Sequence, residues 1–550
     1  MALRPQRSIV LTPTAAKKIQ KRSKCELLLR TSADAMVKIM TDITPMLEPA
    51  TPKSSGQFGT FALVAFPAVS LLLLIARPVW DVDIFWQLKL GELILENGGP
   101  VLNEPFAASH AGEPLPSLAW AAQALYAGLR LLGGWSLLRT IDALCWLGGF
   151  WFAGWSAYRR GASASGVALG LILALVVTLP SASLRPQSLA VLCFGGLIAL
   201  VFSSLRTAWK LVLGAALLVA WQNLHPSVTV AAVWLGVMAG TDWVQLLHCR
   251  ARRFPWVLTA LCVFAALAIF ATPEGTRIIA ISAVNAKLSS HIGVSEWLPL
   301  WHPANYKLGL AVGFVALWMF AMVFRSRRFA ANELLSMLVL LVLSSVIARF
   351  VLFWAVALVP IIALALPRGV EPSPPRWLIA PTLIAALLAI ILPIRFSPQL
   401  PLQEVAALRA TGIVGTVYAH FPWGGALIDA GYPVWRVAYD GRYYRYTAAE
   451  WNAYFAASNG DMQLSEIEAR WRPSAFLLDP VWNAPLITAL RADRRWRELP
   501  KTRNNAPVVT YSSGWRNLVS TGPSVAFVLT RPKTGGERRY HSKRAAPSAH

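Results

Sequence analysis

The sequence predicts a polytopic α-helical membrane protein with a small α/β domain on its exterior face. Three observations carry that prediction. The 550 residues are 56% hydrophobic and only 14% charged, far less charged than a soluble domain of ordinary composition. Mean hydropathy is +0.50, and apolar runs of about 17–22 residues, long enough to span a bilayer, recur along the first two-thirds of the chain. From about Phe396 the composition shifts to ordinary charge and alternating strand-like runs.

Eleven spans are expected, over 59–77, 137–157, 164–181, 187–204, 208–222, 227–247, 255–272, 307–324, 333–348, 350–366 and 377–394. An odd count puts the two ends on opposite sides. With the N-terminus inside, every strongly basic short loop falls inside: Arg159-Arg160, Arg206 with Lys210, the run around Arg250, Arg252 and Arg253, Arg325 with Arg327-Arg328, and Arg368 with Arg376. That is the distribution the positive-inside rule expects. It also accounts for the net charge of +24. No groove-reading motif or aromatic-basic platform is present, so nucleic acid is not an expected partner.

Four regions follow. Residues 1–57 read as a disordered basic cytoplasmic tail, too long and polar for a signal peptide. Met36, Met40 and Met46 leave a later start open. Residues 58–395 form the membrane domain, with a first exterior loop over 79–136. Within that loop Ile84–Leu95 and Leu118–Leu132 show helical apolar spacing and are stopped by Gly98-Gly99-Pro100 and Gly133-Gly134. Both are expected to lie in the membrane interface plane, and the second is also long enough to be read as a span. Residues 396–530 form an exterior α/β domain. Its expected strands are Gly415–His420, Val434–Tyr439, Ala475–Leu478 and Val525–Leu529, and its expected helices lie near Thr447–Ala457, Leu464–Arg470 and Pro485–Ala492. Residues 531–550 read as a disordered tail. The five cysteines, at 25, 145, 193, 249 and 262, have no metal spacing and give no expected disulfide.

The unusual polar residues sort to one side. Asp81 and Asp83 follow the first span, in Trp80-Asp81-Val82-Asp83-Ile84-Phe85-Trp86-Gln87. Arg185 follows the third span, Asn223 and His225 the fifth, and Arg349 lies between the ninth and tenth. Glu274, His291, Glu296, Trp297, Trp301 and His302 lie in the exterior loop 273–306. Two carboxylates one residue apart at a membrane edge are costly and need a reason. Arginine forks suit phosphate, and a carboxylate takes a proton or holds a divalent metal. Each residue also has a structural reading. Arginines snorkel, Asn223 and His225 cap helices, and loop tryptophans form an interfacial belt.

The first-loop frame resembles the GT-C superfamily of integral-membrane glycosyltransferases. It is most similar to a bacterial branch whose loop reads Asp-Pro-Asp-x-Trp-Trp-His, then Gly-x-x-Ile-x-x-x-Gly-x-x-Pro. Here Asp81, Asp83 and Trp86 are followed by Gly91, Ile94, Gly98 and Pro100. Glu104-Pro105-Phe106-Ala107, Gly112-Glu113-Pro114, Arg185-Pro186, Asn223-Leu224-His225, Glu296-Trp297 and Arg349 continue the likeness. So do Trp423-Gly424-Gly425-Ala426-Leu427-Ile428 and Asp440-Gly441-Arg442. It covers about residues 60–530. Gln87 departs from the pattern where the branch has His, Asn103-Glu104 stands where an Asp is common, and Pro226 replaces a Gly.

The resemblance implies transfer of a sugar from a polyprenyl-phosphate-linked donor to a lipid, glycan or protein acceptor, with inversion, on the non-cytoplasmic face of a bacterial inner membrane. It implies Asp81 or Asp83 as general base, the other orienting the acceptor or holding a divalent cation such as Mg or Mn. Trp86, Gln87, Arg185, Asn223, His225, Glu296, Trp297 and Arg349 are the expected substrate-binding residues. The alternatives are a non-catalytic membrane component of an envelope-polysaccharide assembly system and a lipid or solute transporter. Asp440-Gly441-Arg442 reads either as an ion-paired turn holding the exterior domain or as part of an acceptor site.

Overall fold

The computed structural model describes residues 55–248, 254–326, 329–366, 379–500 and 524–529. The expectations for the two tails and for the basic runs near 250, 327 and 368–376 lie outside the described residues. Four helices are long and apolar enough to cross a membrane: Ala164–Ser181, Thr229–Leu247, Pro303–Ser326 and Ala348–Ala365. Shorter apolar helices cover Phe66–Ala76, Gln187–Val201, Trp256–Ala268, Ala331–Val346 and Ala380–Ile391. The other two expected spans fall within the helix Thr207–Leu224 and within the second half of the helix Trp120–Arg159. Every expected span is therefore helical, while length and apolar composition by themselves support four crossings.

Two groups of polar contacts flank the helix Ala164–Thr178. At one end Arg160 pairs with Glu333 and stacks on Phe202, its guanidinium carbon 4.1 Å from the ring centroid. Lys210 donates to the Val201 carbonyl at 2.8 Å. One helix length away, Arg185 meets Asp83 and Glu296.

Helix α1 (Ser55–Ala76) ends at Arg77-Pro78, and α2 (Asp83–Asn97) opens the first loop. Helix α3 (Trp120–Arg159) kinks at Gly133-Gly134, where Gly134 has φ +64°. A side chain would strain that left-handed backbone, so the glycine separates the loop half of α3 from the bundle half.

The α/β part is a five-stranded sheet built from β1 (Gly415–Ala419), β2 (Trp435–Val437), β3 (Pro473–Leu478), β4 (Trp496–Glu498) and β5 (Val525–Leu529), in the order β2-β1-β3-β5-β4. β1 is parallel to β2 and β3, with Val417 opposite Ala475. β5 runs antiparallel to β3 and β4, with Phe476 opposite Phe527. Strand side chains alternate between faces. Tyr418, Phe476, Leu478, Val525 and Phe527 pack under the helices Ala448–Asn459, Leu464–Trp471 and Ala484–Ala492. Val417, Ala419, Ala475, Leu477, Ala526 and Val528 face the other way, into one cluster with Ile84, Phe85, Leu88 and Ile94 of α2.

That second cluster corrects the reading of Ile84–Leu95. Its apolar stripe is buried against the sheet and against α4 (Gly424–Gly431), inside the protein, and does not lie free in an interface plane. Burying several large aliphatic side chains stabilises this packing by about 1.5–3 kcal/mol each. Polar links reinforce it. Arg130 bridges Glu92 of α2 and Asp429 of α4, and His110 reaches Glu450 at 2.9 Å.

Candidate functional site

The backbone fixes where the two aspartates stand. Val79 pairs with the strand-like entry to the α/β part: its N–H donates to the Arg395 carbonyl at 2.7 Å, and its carbonyl accepts from Ser397 at 2.8 Å. Asp81 then closes a local turn, accepting the Asp83 N–H at 2.9 Å through Oδ1, as short acidic side chains do where a helix begins.

Arg185 gathers the carboxylates. Its Nε contacts Asp81 Oδ2, its Nη2 lies 2.7 Å from Asp83 Oδ2, and its Nη1 lies 3.3 Å from Glu296 Oε2. These residues come from three distant segments, brought together at helix ends. The surrounding acids hold the buried Arg185 guanidinium above its usual pKa, although burial opposes this. Access differs sharply among the three acids. Asp81 is fully buried, whereas the side chains of Asp83 and Glu296 keep 16% and 26% exposure. Trp86 orients Asp83, its indole Nε1 donating to Oδ1 at 3.3 Å.

Arg185, Glu296 and Arg349 line one open cleft, with Trp80, Ser181 and Gln187 among its walls. Arg349 stacks on Trp297, its guanidinium carbon 4.9 Å from the ring centroid, and Nη2 faces His225 Nε2 at 3.3 Å. His225 is pushed down to about 3 by burial first and by the Arg349 charge second. It is therefore neutral near pH 7, with Nε2 placed to accept from Arg349 and Nδ1 against Ser227 Oγ at 2.8 Å.

Two expected site residues stand apart. Asn223 has its amide occupied: Oδ1 accepts from Trp120 at 2.7 Å, and Nδ2 donates to Ala271 and Val219 carbonyls. It ties helices together. Gln87 is buried among the packing of α2, its Oε1 accepts no hydrogen bond, and it does not line the cleft. Nor does the aspartate pair fit a divalent cation as arranged. Asp81 gives its oxygens to the Asp83 N–H and to Arg185, Asp83 also faces Arg185, and no group of three metal-ligating side chains stands at metal spacing among the described residues. A guanidinium stands where a cation would need open carboxylate oxygens.

The site has a support that its own segment does not show. Arg442 is fully buried and holds Asp440 at 2.7 Å and Glu104 at 2.7 Å. Glu104 also accepts the Phe106 and Ala107 N–H groups at 2.8 and 2.9 Å, and Tyr446 donates to Asp440 at 3.2 Å. Of the two readings of Asp440-Gly441-Arg442, this is the ion-paired turn. The glycine between them has a second role. A Cβ on Gly441 would run into Asp83 Oδ1, so a side chain there would push on the carboxylate that Arg185 and Trp86 hold. Asn305 is a further member, donating to the Ser295, Leu298 and Pro299 carbonyls and so clamping the turn that carries Glu296. Its signal in the sequence is slight: a lone Asn before an apolar run.

No family model matches this chain, and no curated protein matches it. Among solved structures it is similar to the oligosaccharyltransferase of Archaeoglobus fulgidus. With the form tethered to an acceptor peptide containing the NVT sequon, the TM-score is 0.49 at 11% identity, over 78% of this chain and 71% of that one. With the apo form the TM-score is 0.44 at 11% identity, over 78% and 72% of the two chains.

Proposed function

We propose that this protein is a membrane glycosyltransferase that moves a sugar from a polyprenyl-phosphate-linked donor to an acceptor hydroxyl, with Asp83 as the general base. The observation that carries the reading is the unequal exposure of three carboxylates around one arginine. Asp81, fully buried, positions Arg185. Asp83 is held in place by Arg185 and Trp86 and still reaches solvent. A base must touch the proton it removes, and Asp83 meets that condition where Asp81 does not.

The step balances simply. Asp83 takes the proton of the acceptor hydroxyl. That oxygen forms a bond to the anomeric carbon while the bond from that carbon to the donor phosphate oxygen breaks. Displacement from the opposite face inverts the centre. The lipid phosphate leaves with the electron pair, and Arg349 on the cleft wall stabilises its charge. Arg185, already surrounded by carboxylates, supplies orientation more than phosphate binding. The cleft lies at the helix ends, where a lipid-anchored donor and a water-borne acceptor can meet. The acceptor's chemical class, the exterior orientation and the bacterial inner membrane belong to this proposal through the sequence resemblance.

The test uses membranes carrying the full chain, supplied with polyprenyl-phosphate-linked hexose and pentose donors. Release of polyprenyl phosphate coupled to a glycoside of inverted configuration is expected from one of them. A product of retained configuration overturns the single displacement, and donor release unaltered by Arg349→Gln overturns the role of that arginine.

A further inference from the structure

A second cleft adjoins the first, and Trp80 and Ser183 line both. Arg77, Arg139 and Trp146 are among its other walls. Its two arginines differ from those described so far. Arg77, just past α1, donates through Nη1 to the Leu179 and Ala182 carbonyls. Arg139, 94% buried by its 6% exposure, donates through Nη2 to the Leu74 and Arg77 carbonyls. Among the described residues neither guanidinium has a carboxylate at ion-pair distance, whereas Arg130, Arg160, Arg185 and Arg442 each do. Asp142, which also lines the cleft, accepts from the Tyr126 hydroxyl instead.

Two neighbouring guanidiniums, partly desolvated at helix ends and neutralised only by backbone carbonyls, are expensive to keep. An anion that lies between them removes the cost. Guanidinium forks match phosphate oxygens. The walls supplied by Leu74, Pro78, Trp80 and Trp146 are apolar, which suits a head group whose tail stays in hydrocarbon. We propose that this cleft is a second anion site, which holds the phosphate of a membrane lipid beside the reaction cleft. Trp80, shared by the two clefts, places that phosphate next to the Asp81–Asp83 turn. The claim concerns binding alone and does not depend on the transfer reaction.

The experiment measures binding of farnesyl phosphate and of inorganic phosphate to the purified full chain in detergent, by calorimetry and by thermal unfolding. Farnesyl phosphate is expected to bind and to raise the melting temperature, with inorganic phosphate binding far more weakly. In the Arg349→Gln background, which removes the reaction cleft's own phosphate contact, adding Arg77→Gln with Arg139→Gln is expected to weaken farnesyl phosphate binding about a hundredfold, about tenfold for each charged partner lost. Equal binding of inorganic phosphate supports the anion site with free phosphate as its ligand. Absence of binding by the natural protein overturns the proposal, as does unchanged binding when the two substitutions are added to Arg349→Gln and the chain still folds. Should that variant not fold, Arg139→Lys in the same background keeps the charge and loses the fork. It is expected to weaken binding about tenfold, and unchanged binding there also overturns the site.

Discussion

Arg185 and Arg442 are both buried arginines held by carboxylates, and the difference between them separates chemistry from architecture. Arg442 and its partners Asp440 and Glu104 are all at 0% exposure, so every charge is sealed. Arg185 has one sealed partner, Asp81, and two that keep some exposure, Asp83 and Glu296, of which Glu296 lines the cleft. A closed set of ion pairs can only hold segments together. A set with one open side can exchange a proton or meet a substrate. The two sets are also neighbours: Trp86 donates to Asp83, and its ring centroid lies 5.8 Å from the Arg442 guanidinium carbon.

The largest effect is expected where the sealed set is broken. Arg442→Met leaves two carboxylates buried without a counter-charge, a loss of about 3–5 kcal/mol. Thermal unfolding in detergent should show a steep drop, and an unchanged melting temperature would remove the architectural role. Next comes the contact between the sets. Gly441→Ala drives a methyl into Asp83 Oδ1. Displacement of a reacting group by about 1 Å is expected to lower transfer roughly a hundredfold, and stability should change far less than in Arg442→Met. Equal losses of stability in both variants would mean that Gly441 serves the fold alone.

A smaller effect concerns pH. His225 and His420 are each pushed down to about 3, burial being the largest cause for both. Above the ordinary histidine range both the folded and unfolded chains carry them neutral, and they contribute no slope. As pH falls from about 6.5 toward about 3 the unfolded chain takes up protons that the folded chain refuses, so stability declines, by up to about 1.4 kcal/mol per pH unit for each histidine. Melting temperature measured across that window should flatten in His225→Gln, and a slope identical to the natural protein would contradict the neutral burial of His225. The smallest effect is expected from a chelator. With Arg185 supplying the positive charge beside Asp81 and Asp83, transfer should persist in EDTA, and its abolition, restored by Mg or Mn, would require those carboxylates to rearrange.

Much of this was legible in the sequence because it is local. The apolar runs gave helices at each expected span, and β5 covers Val525–Leu529, the apolar run read as a strand. Asp81, Asp83, Arg185, Glu296 and Arg349 could be gathered on one side because loop charge orders the ends of helices. What could not be read is pairing across distance. Glu104 and Arg442 are 338 residues apart, and neither segment announces the other. The same holds for the sheet face that buries Ile84 and Leu88, since an amphipathic stripe says that it will be covered and not by what. Asn223 could not be resolved from sequence because a polar residue at a helix end looks alike whether it faces a ligand or bonds to other segments, as it does here to Trp120 and Ala271. Arg77 and Arg139 escaped notice because single arginines at span edges look like snorkelling side chains, and only the fold places them together.

The central claim is that the open side of the Arg185 set is the reacting one, with Asp83 as the base. The most direct measurement is the rate of sugar transfer by Asp83→Asn beside Asp81→Asn, with melting temperature recorded for each. The account predicts that Asp83→Asn melts near the natural protein and loses about 10²–10⁴-fold in transfer rate, while Asp81→Asn loses stability as well as rate. Transfer at the natural rate by Asp83→Asn would contradict it.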